Sequence, residues 1–544
     1  MTSPTSLLII TCTLALLLRL LLATYARLVK SRAFRDLRGP PPASFLTGNL
    51  AQLSDAEDGL VFLNKMLADY GSVMKLNGLC GDTLLCISDP RALSHILLKE
   101  ADNVAEVDLT GTTQILHYMF GPGLVTTNGH RHRKQRKMLN PLFSTAHMRR
   151  VTPLVRAITQ QYKAQLTRET TTGANDVDIA PGLACLALEI IGQVGFGHTF
   201  NALRGGASEY IRAAKELLPV TADLALPIIA TVASGLSCLP PPVLKTAGCT
   251  LAYLLPSLRK LMFCVDTLYD TARRIWEAKK EAYAAGDVLL GEAVKDKGDL
   301  LGVLLKENAQ AKGKDKLSDN ELLAQVNTFI VAGAESTSTV ICRILHQLAL
   351  HPAIQEQLRD EIVQAGENLE YDDLMRLPLL DAVCRETMRQ HTFFPFRSRM
   401  CNTATAVPLS NGTVIHVPAG TEVILNCHGA NTDPAIWGAD SQDWRPKRWL
   451  EPLPQTVLDA KIPGVYSHSM SFLGGPKSCI GYTLALLEMK VALAELLSSF
   501  NFALPQQDEI VWRFGITISA SVKGEKSFNP TMPMRLTQLD PTNP

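Results

Sequence analysis

One segment constrains the fold more than any other. Ser318-Asp319-Asn320-Glu321 has the form of a capping box, in which the serine hydroxyl and the glutamate carboxylate satisfy the first free amides of a helix. From Asp319 nothing breaks a helical pattern until Leu350, ahead of Pro352, which makes 350 − 319 + 1 = 32 residues. At 1.5 Å per residue that is about 48 Å of helix. Its middle carries little charge, so it must cross the interior of a large domain. A chain of 544 residues, 46% hydrophobic, has the material for such an interior. Residues from about 140 to 400 read as mostly helical. Strands are a minor component: Val73 to Leu76 and Thr83 to Ile87 suit a hairpin, and Asn411-Gly412 suits a turn between β-prone residues within Val407 to Asn426. The expected fold class is mainly α with small β-sheets, α+β, without internal repeats.

From Ser6 to Ala26 the only charge is Arg19, and this length matches the roughly 20 apolar residues that span a bilayer core as a helix. A cleaved signal peptide is the competing reading, but a clear small-residue cleavage site is lacking. No Lys or Arg precedes the run, whereas Arg27, Lys30, Arg32, Arg35 and Arg38 come after it, so the remainder of the chain is expected on the cytosolic side. The expected organisation is an N-terminal transmembrane anchor over 1–30, a basic, proline-rich hinge over 31–48 and one large domain over 49–544. A second apolar stretch, Leu224 to Leu244, contains four prolines and suits a membrane-dipping segment or ordinary core. Lys295 to Lys316 suits a charged surface loop enclosing a short helix, Leu300 to Leu305. The twelve cysteines include no Cys-x-x-Cys pair, which argues against a disulfide framework or a zinc site. With 53 basic and 52 acidic residues the chain has no basic excess, so no nucleic-acid partner is expected.

The strongest chemical signal is Phe472-Leu473-Gly474-Gly475-Pro476-Lys477-Ser478-Cys479-Ile480-Gly481, leading into an apolar helix from Tyr482 to Leu497. A Gly/Pro-rich loop holds one cysteine at a helix N-terminus, where dipole and free amides favour a thiolate. Taken alone, it fits a structural cysteine in a tight turn better. The run resembles the haem-binding signature of cytochrome P-450 monooxygenases, Phe-x-x-Gly-x-Arg-x-Cys-x-Gly, with Lys477 where the family usually has Arg. Glu386-Thr387-Met388-Arg389 resembles the family's Glu-x-x-Arg, and the segment Asp443 to Trp449 resembles the one whose Arg, here Arg448, completes a buried ion network. Ala332-Gly333-Ala334-Glu335-Ser336-Thr337, mid-way along the long helix, resembles Ala-Gly-x-Asp/Glu-Thr with Ser336 in place of Thr. Gly129 to Lys137 resembles the family's Trp/His-x-x-x-Arg helix.

The resemblance, which spans nearly the whole chain, implies a P-450 fold with a single haem domain. Cys479 would be the axial ligand of haem b iron in a loop framed by Phe472, Gly475 and Gly481. Lys477, His132, Arg136 and Arg399 would hold the propionates, and Glu386, Arg389 and Arg448 would lock the core. Glu335 and Ser336 would relay protons to bound O₂, Thr337 being turned about 100° away. Ala332 to Ala334 would let O₂ approach, with Gly333 permitting a local distortion of the helix. The implied reaction inserts one oxygen atom from O₂ into a lipophilic molecule. Electrons would come from NADPH through cytochrome P-450 reductase, with cytochrome b5 as an added donor, at the endoplasmic reticulum membrane. Arg133, Lys134 and Lys137 suit either a reductase-docking face or a solvated basic helix. The substrate pocket would draw on Gln114, Tyr118, Phe329, Ala332, Phe394 and Thr517, and would suit a terpenoid, steroid or fatty acyl skeleton. The competing readings are a haem-thiolate isomerase or dehydratase that needs no reductase, a non-catalytic membrane haem protein, and a helical scaffold without haem.

Overall fold

The computed structural model describes residues 21–22, 24–105, 112–171, 176–204, 209–224, 241–284, 299–311, 313, 316–514, 517–525 and 529–539. The helices that position the site are α1 (Gly129–Leu139), α2 (Thr145–Thr171), α3 (Ile179–Phe196), α4 (Glu209–Asp223), α5 (Pro256–Ala284), α6 (Asp319–Leu350), α7 (Pro378–Gln390) and α8 (Tyr482–Leu497). The long helix α6 begins and ends where the capping box and Pro352 require. Ser318 N–H donates to the Glu321 carboxylate at 2.9 Å, and Glu321 N–H donates back to the Ser318 hydroxyl at 3.4 Å. Most of α6 is buried, packed among α3, α5, α7 and α8 in one large apolar core.

The strands are β1 (Val73–Asn77), β2 (Thr83–Ile87), β3 (Val104–Ala105), β4 (Phe396–Cys401), β5 (Thr421–Asn426), β6 (Ser469–Gly474), β7 (Ile510–Phe514) and β8 (Ile518–Val522). Five form one sheet in the order β1-β2-β5-β4-β3, with β2 and β5 parallel and the other pairs antiparallel. The expected hairpin of β1 and β2 is present, as is the one around Asn411-Gly412, between Thr405–Pro408 and Val414–Val417. β7 and β8 form a separate hairpin that lies along α6. The architecture is therefore helical with small sheets.

The apolar runs depart from expectation in one place. The helix from Leu300 does not stop at Leu305 but continues to Gln310, because Asp299 caps Gly302 N–H at 2.7 Å and the charged Lys306 and Glu307 lie on its exposed side. Counting apolar residues alone missed its solvent face. Of the expected anchor, residues 1–20 lie outside the described residues, as do 225–240 of the second apolar stretch. Residues 24–33 are helical, with Leu21, Leu22, Tyr25 and Leu28 exposed. Lys30, by contrast, is buried in an ion pair with Asp82, so this helix is fastened to the domain. Among the described residues, α3 and α6 are long and apolar enough to cross a membrane, but 72% and 61% of their apolar windows are buried. They are core helices.

Candidate functional site

The cysteine loop runs from β6 through a 3₁₀ turn, Gly475–Lys477, into α8. Cys479 N–H donates to Phe472 carbonyl at 2.9 Å, closing the loop on itself. Gly475 has φ +72°, and a Cβ there would lie 2.2 Å from the Leu97 carbonyl oxygen, so only glycine fits. From α1, Arg136 donates to the Pro476 and Ser478 carbonyls at 3.0 and 2.6 Å and to the Ser478 hydroxyl at 3.1 Å. The Cys479 side chain lies deep in the protein and yet is open, so it faces an internal space. Burial pushes its thiol above the ordinary value, against the opposing pull of the Gly481 amide and Arg136. The loop alone does not sustain a thiolate; a bound metal cation, which deprotonates a coordinating thiol outright, would.

Beside the loop is a small cleft lined by His132, Arg399 and Lys477 together with Leu97, Gly474 and Pro476. His132 is 3% and Arg399 2% exposed, so burial gathers basic groups at one spot. The Lys477 ammonium also donates to Thr127 carbonyl at the entrance to α1. Arg136, expected beside His132 as a propionate ligand, does not line this cleft. The loop carbonyls of Pro476 and Ser478 need donors, and Arg136 supplies them. The expected docking face on α1 is also partly engaged within the chain. Arg133 pairs with Asp102 at 2.8 Å, Arg131 with Glu321 at 2.7 Å, and Lys134 donates to Lys316 carbonyl at 2.7 Å.

Helix α6 presents a different chemistry on each side. Ala332 is exposed and Ser336 half-buried on the side that opens inward. The Ser336 hydroxyl donates to its own helix at Ala332 carbonyl, 2.8 Å away. Gly333 does not distort the helix, which is α throughout. A Cβ at Gly333 would come within 3.0 Å of Ile191 on α3, so its smallness serves close helix packing instead. Ala334 and Glu335 line a cavity of about 590 Å³ between α3, α4, α6 and β8. Burial raises Glu335 to about 7, with a hydrogen bond to Thr517 opposing the shift, and its Oε2 has no partner among the described residues. On the third side Thr337 is buried and bonded to Glu488 of α8, whose carboxyl burial raises to about 8. Glu488 escaped the sequence reading because it sits in an apolar helical run; a charge among α8's buried positions was the available signal.

Behind the loop, Glu386 and Arg389 on α7 form two 2.9 Å hydrogen bonds, and Arg448 reaches Glu386 at 3.3 Å. All three are essentially inaccessible. Trp449 and the Arg445 amide also donate to Glu386, at 2.9 and 3.1 Å, while Arg389 donates to the Asn431 and Ser441 carbonyls at 2.8 Å each. Burial works to raise Glu386, but these donors outweigh it and hold the carboxyl below its usual value.

The expected pocket residues are not all gathered together. Phe329 stacks obliquely on Phe143 at 5.8 Å, and Phe143 in turn lies against Gly481, which links α6 to the cysteine loop. Thr517 meets Glu335, and Phe394 packs against Phe393 and Arg397. Tyr118 stands apart, half exposed with Asp266 of α5 nearby. The Gln114 side chain lies outside the described residues. The donor set fits a flat, anionic iron cofactor: an inward-open thiol, a glycine that brings the loop against Leu97, a buried basic cleft and a small-residue helix face.

A family model described as Cytochrome P450 matches residues 38–514. The chain is 40% identical to cytochrome P450 monooxygenase 91 of Postia placenta over 93% of its own length and 94% of that protein. It is 39% identical to cytochrome P450 monooxygenase 81 of the same fungus, covering 86% and 87% of the two chains. It is 35% identical to a ganoderic acid synthetase of Ganoderma lucidum, covering 93% and 94%.

Proposed function

The chain belongs to the cytochrome P450 family and is an oxygen-incorporating oxidoreductase; from that premise we propose that it is a haem-thiolate monooxygenase of lipophilic biosynthetic intermediates. In this reading NADPH-cytochrome P-450 reductase supplies the electrons. One oxygen atom of O₂ enters the substrate and the other leaves as water. The relative named ganoderic acid synthetase supports a biosynthetic role, and a terpenoid skeleton is the substrate we favour. Residues 1–30 anchor the protein in the endoplasmic reticulum membrane, 31–48 form the hinge and 49–544 the cytosolic catalytic domain.

Cys479 carries the proposal, as a loop-bound thiol deep in the protein that opens inward. Cys479 would hold the haem iron by its sulfur, and the haem would supply O₂ activation, since a thiolate ligand favours O–O cleavage. The chain's own groups do the rest. Arg136 fixes the loop by its carbonyls, so Cys479 is held without freedom to turn away. Arg399 and Lys477 offer positive charge to the propionates, and His132 offers them a ring N–H. Glu335, poised near neutrality, can both hold and release a proton where it borders the cavity. Ser336 can pass it on once its hydroxyl turns from Ala332 carbonyl.

The test is the difference spectrum of the reduced full-length protein with carbon monoxide. A strongly red-shifted Soret band is expected from wild type and should vanish in Cys479→Ala. A variant that kept the band would show that another residue ligates the iron. A well-folded wild type with no haem band would end the proposal.

A further inference from the structure

The inward-open side of α6 extends beyond the residues already assigned. Ala332, Ser336, Val340 and Arg343 are open or half-buried, while Ile341, Cys342, Ile344 and Leu345 between and beyond them are buried. Spacings of four, four and three residues place the open ones on one helix face. From Ala332 to Arg343 this stripe runs for about 16 Å at the helical rise. Arg343 ends it. Its guanidinium carbon lies 3.7 Å from the centroid of the Trp512 ring on β7. No described residue gives it a hydrogen bond or an ion pair.

The groups that face Arg343 make this costly. His346 lies on its own helix, accepting from Trp512 N–H at 3.1 Å, and His391 comes just after α7. Burial and the neighbouring cations keep both imidazoles from protonating, and burial lowers Arg343 itself. Among the described residues, no carboxylate acts on the guanidinium. A half-buried charge with no counter-ion among the described residues is unfavourable, and arginine, unlike lysine, does not escape by losing its proton. Such a residue fits a protein that receives its anion from outside.

The anion is not the cofactor's own. The basic cleft that suits the propionates adjoins α1, and α1 is tied to the start of α6 by Arg131 and Gln135 on Glu321. Arg343 is 343 − 321 = 22 residues further along, about 33 Å down the axis. We infer that this enzyme takes lipophilic carboxylates, the carboxylate pairing with Arg343 while the apolar skeleton lies along the Ala332–Val340 stripe. Arg343 is then a specificity-determining residue. A planar guanidinium backed by an aromatic ring suits two-point pairing with a carboxylate. The carbon oxidised near Ser336 should lie on the order of 10 Å from the carboxylate, the length of seven helical residues. This rests on the haem-thiolate reading and names its substrate class.

The test uses the full-length holoenzyme in detergent, titrated with hexadecanoate, a resin acid and a lanostane carboxylic acid, each against its methyl ester. The readout is the substrate-induced Soret shift. At least one acid should bind about tenfold or more tightly than its ester, as a charged hydrogen bond allows. Arg343→Gln should reduce that preference at least tenfold, and Arg343→Lys should retain part of it. Equal affinity of acid and ester in wild type for all three pairs overturns the inference. So does an Arg343→Gln variant that weakens acid and ester alike, or one that fails to load haem while Arg343→Lys loads it, which would make Arg343 a cofactor ligand. In each of these outcomes a wild type with the thiolate band leaves the haem-thiolate reading standing; loss of the wild-type band removes that reading instead.

Discussion

Two regions of this molecule bury charge in opposite ways. Behind the cysteine loop, Glu386 is met by Arg389, Arg448, Trp449 and the Arg445 amide, and Arg389's remaining donors meet carbonyls. Along α6, among the described residues, Glu335 keeps one oxygen unpartnered and Arg343 has only a ring beneath it. Fully matched charge makes a rigid scaffold, because every group is already answered and nothing is gained by rearranging. Unmatched charge is tolerable only where a ligand, a proton or water will answer it. The contrast therefore separates architecture from chemistry without reference to any relative.

The contrast is broken most severely by disturbing the matched side. Glu386→Gln leaves two buried guanidiniums facing a neutral amide, and loss of one partner of such a network costs about 3–5 kcal/mol. We expect poor haem loading and a large drop in melting temperature, measured by calorimetry and by absorbance per protein. The same network sets a pH dependence. Glu386 is held below its unfolded value, so its contribution is complete above the unfolded carboxylate range and is lost as pH falls through the lower folded value. Acid unfolding of wild type should therefore lose a component in Glu386→Gln. If that variant melts like wild type, the network is not what holds the core.

Much of this was legible in the chain. The ends of α6 came from a capping box and a proline, and the order of the Cys, Glu-x-x-Arg and Ala-Gly motifs brought the resemblance. What was not legible depends on side-chain direction across elements. Arg136 looked like His132's partner because both lie on one helix face, yet only the folded loop reveals two carbonyls in its reach. Gly333 looked like a hinge, but the neighbour that demands it, Ile191, is 142 residues earlier (333 − 191). Glu488 and Arg343 matched no motif. Their meaning lies in what surrounds them, and one chain's pattern does not carry that.

On the unmatched side the expected effects are catalytic. Glu335→Gln keeps the size and the contact with Thr517 but removes the titrating proton. Turnover should fall about 10²-fold or more, the scale of general acid catalysis. Burial holds the Glu335 carboxyl near 7, so its protonated fraction declines as pH rises through that value. If the proton it gives limits turnover, wild-type activity falls above pH about 7, and the Gln variant loses that limb. A variant with the same limb assigns it to another group. Glu488, at about 8, is the alternative.

The smallest effect is expected at Ser336, and it sharpens the comparison most. In the structure its hydroxyl is already answered by Ala332 carbonyl, so in this respect it resembles the matched side. That bond is within one helix, however, and a serine, with no second group on Cβ to restrict it, turns out of it more readily than a threonine would. Ser336→Ala should therefore hardly change stability, within about 0.5 kcal/mol for a site that makes no other side-chain bond. It should raise hydrogen peroxide formed per NADPH consumed, with turnover down severalfold at most. Ser336→Thr should restore coupling, since it returns the hydroxyl and limits its rotation. Measured together, product, peroxide and NADPH decide the point. If alanine couples as well as serine, the proton path bypasses Ser336, and Glu335 with its cavity would have to deliver the proton through water.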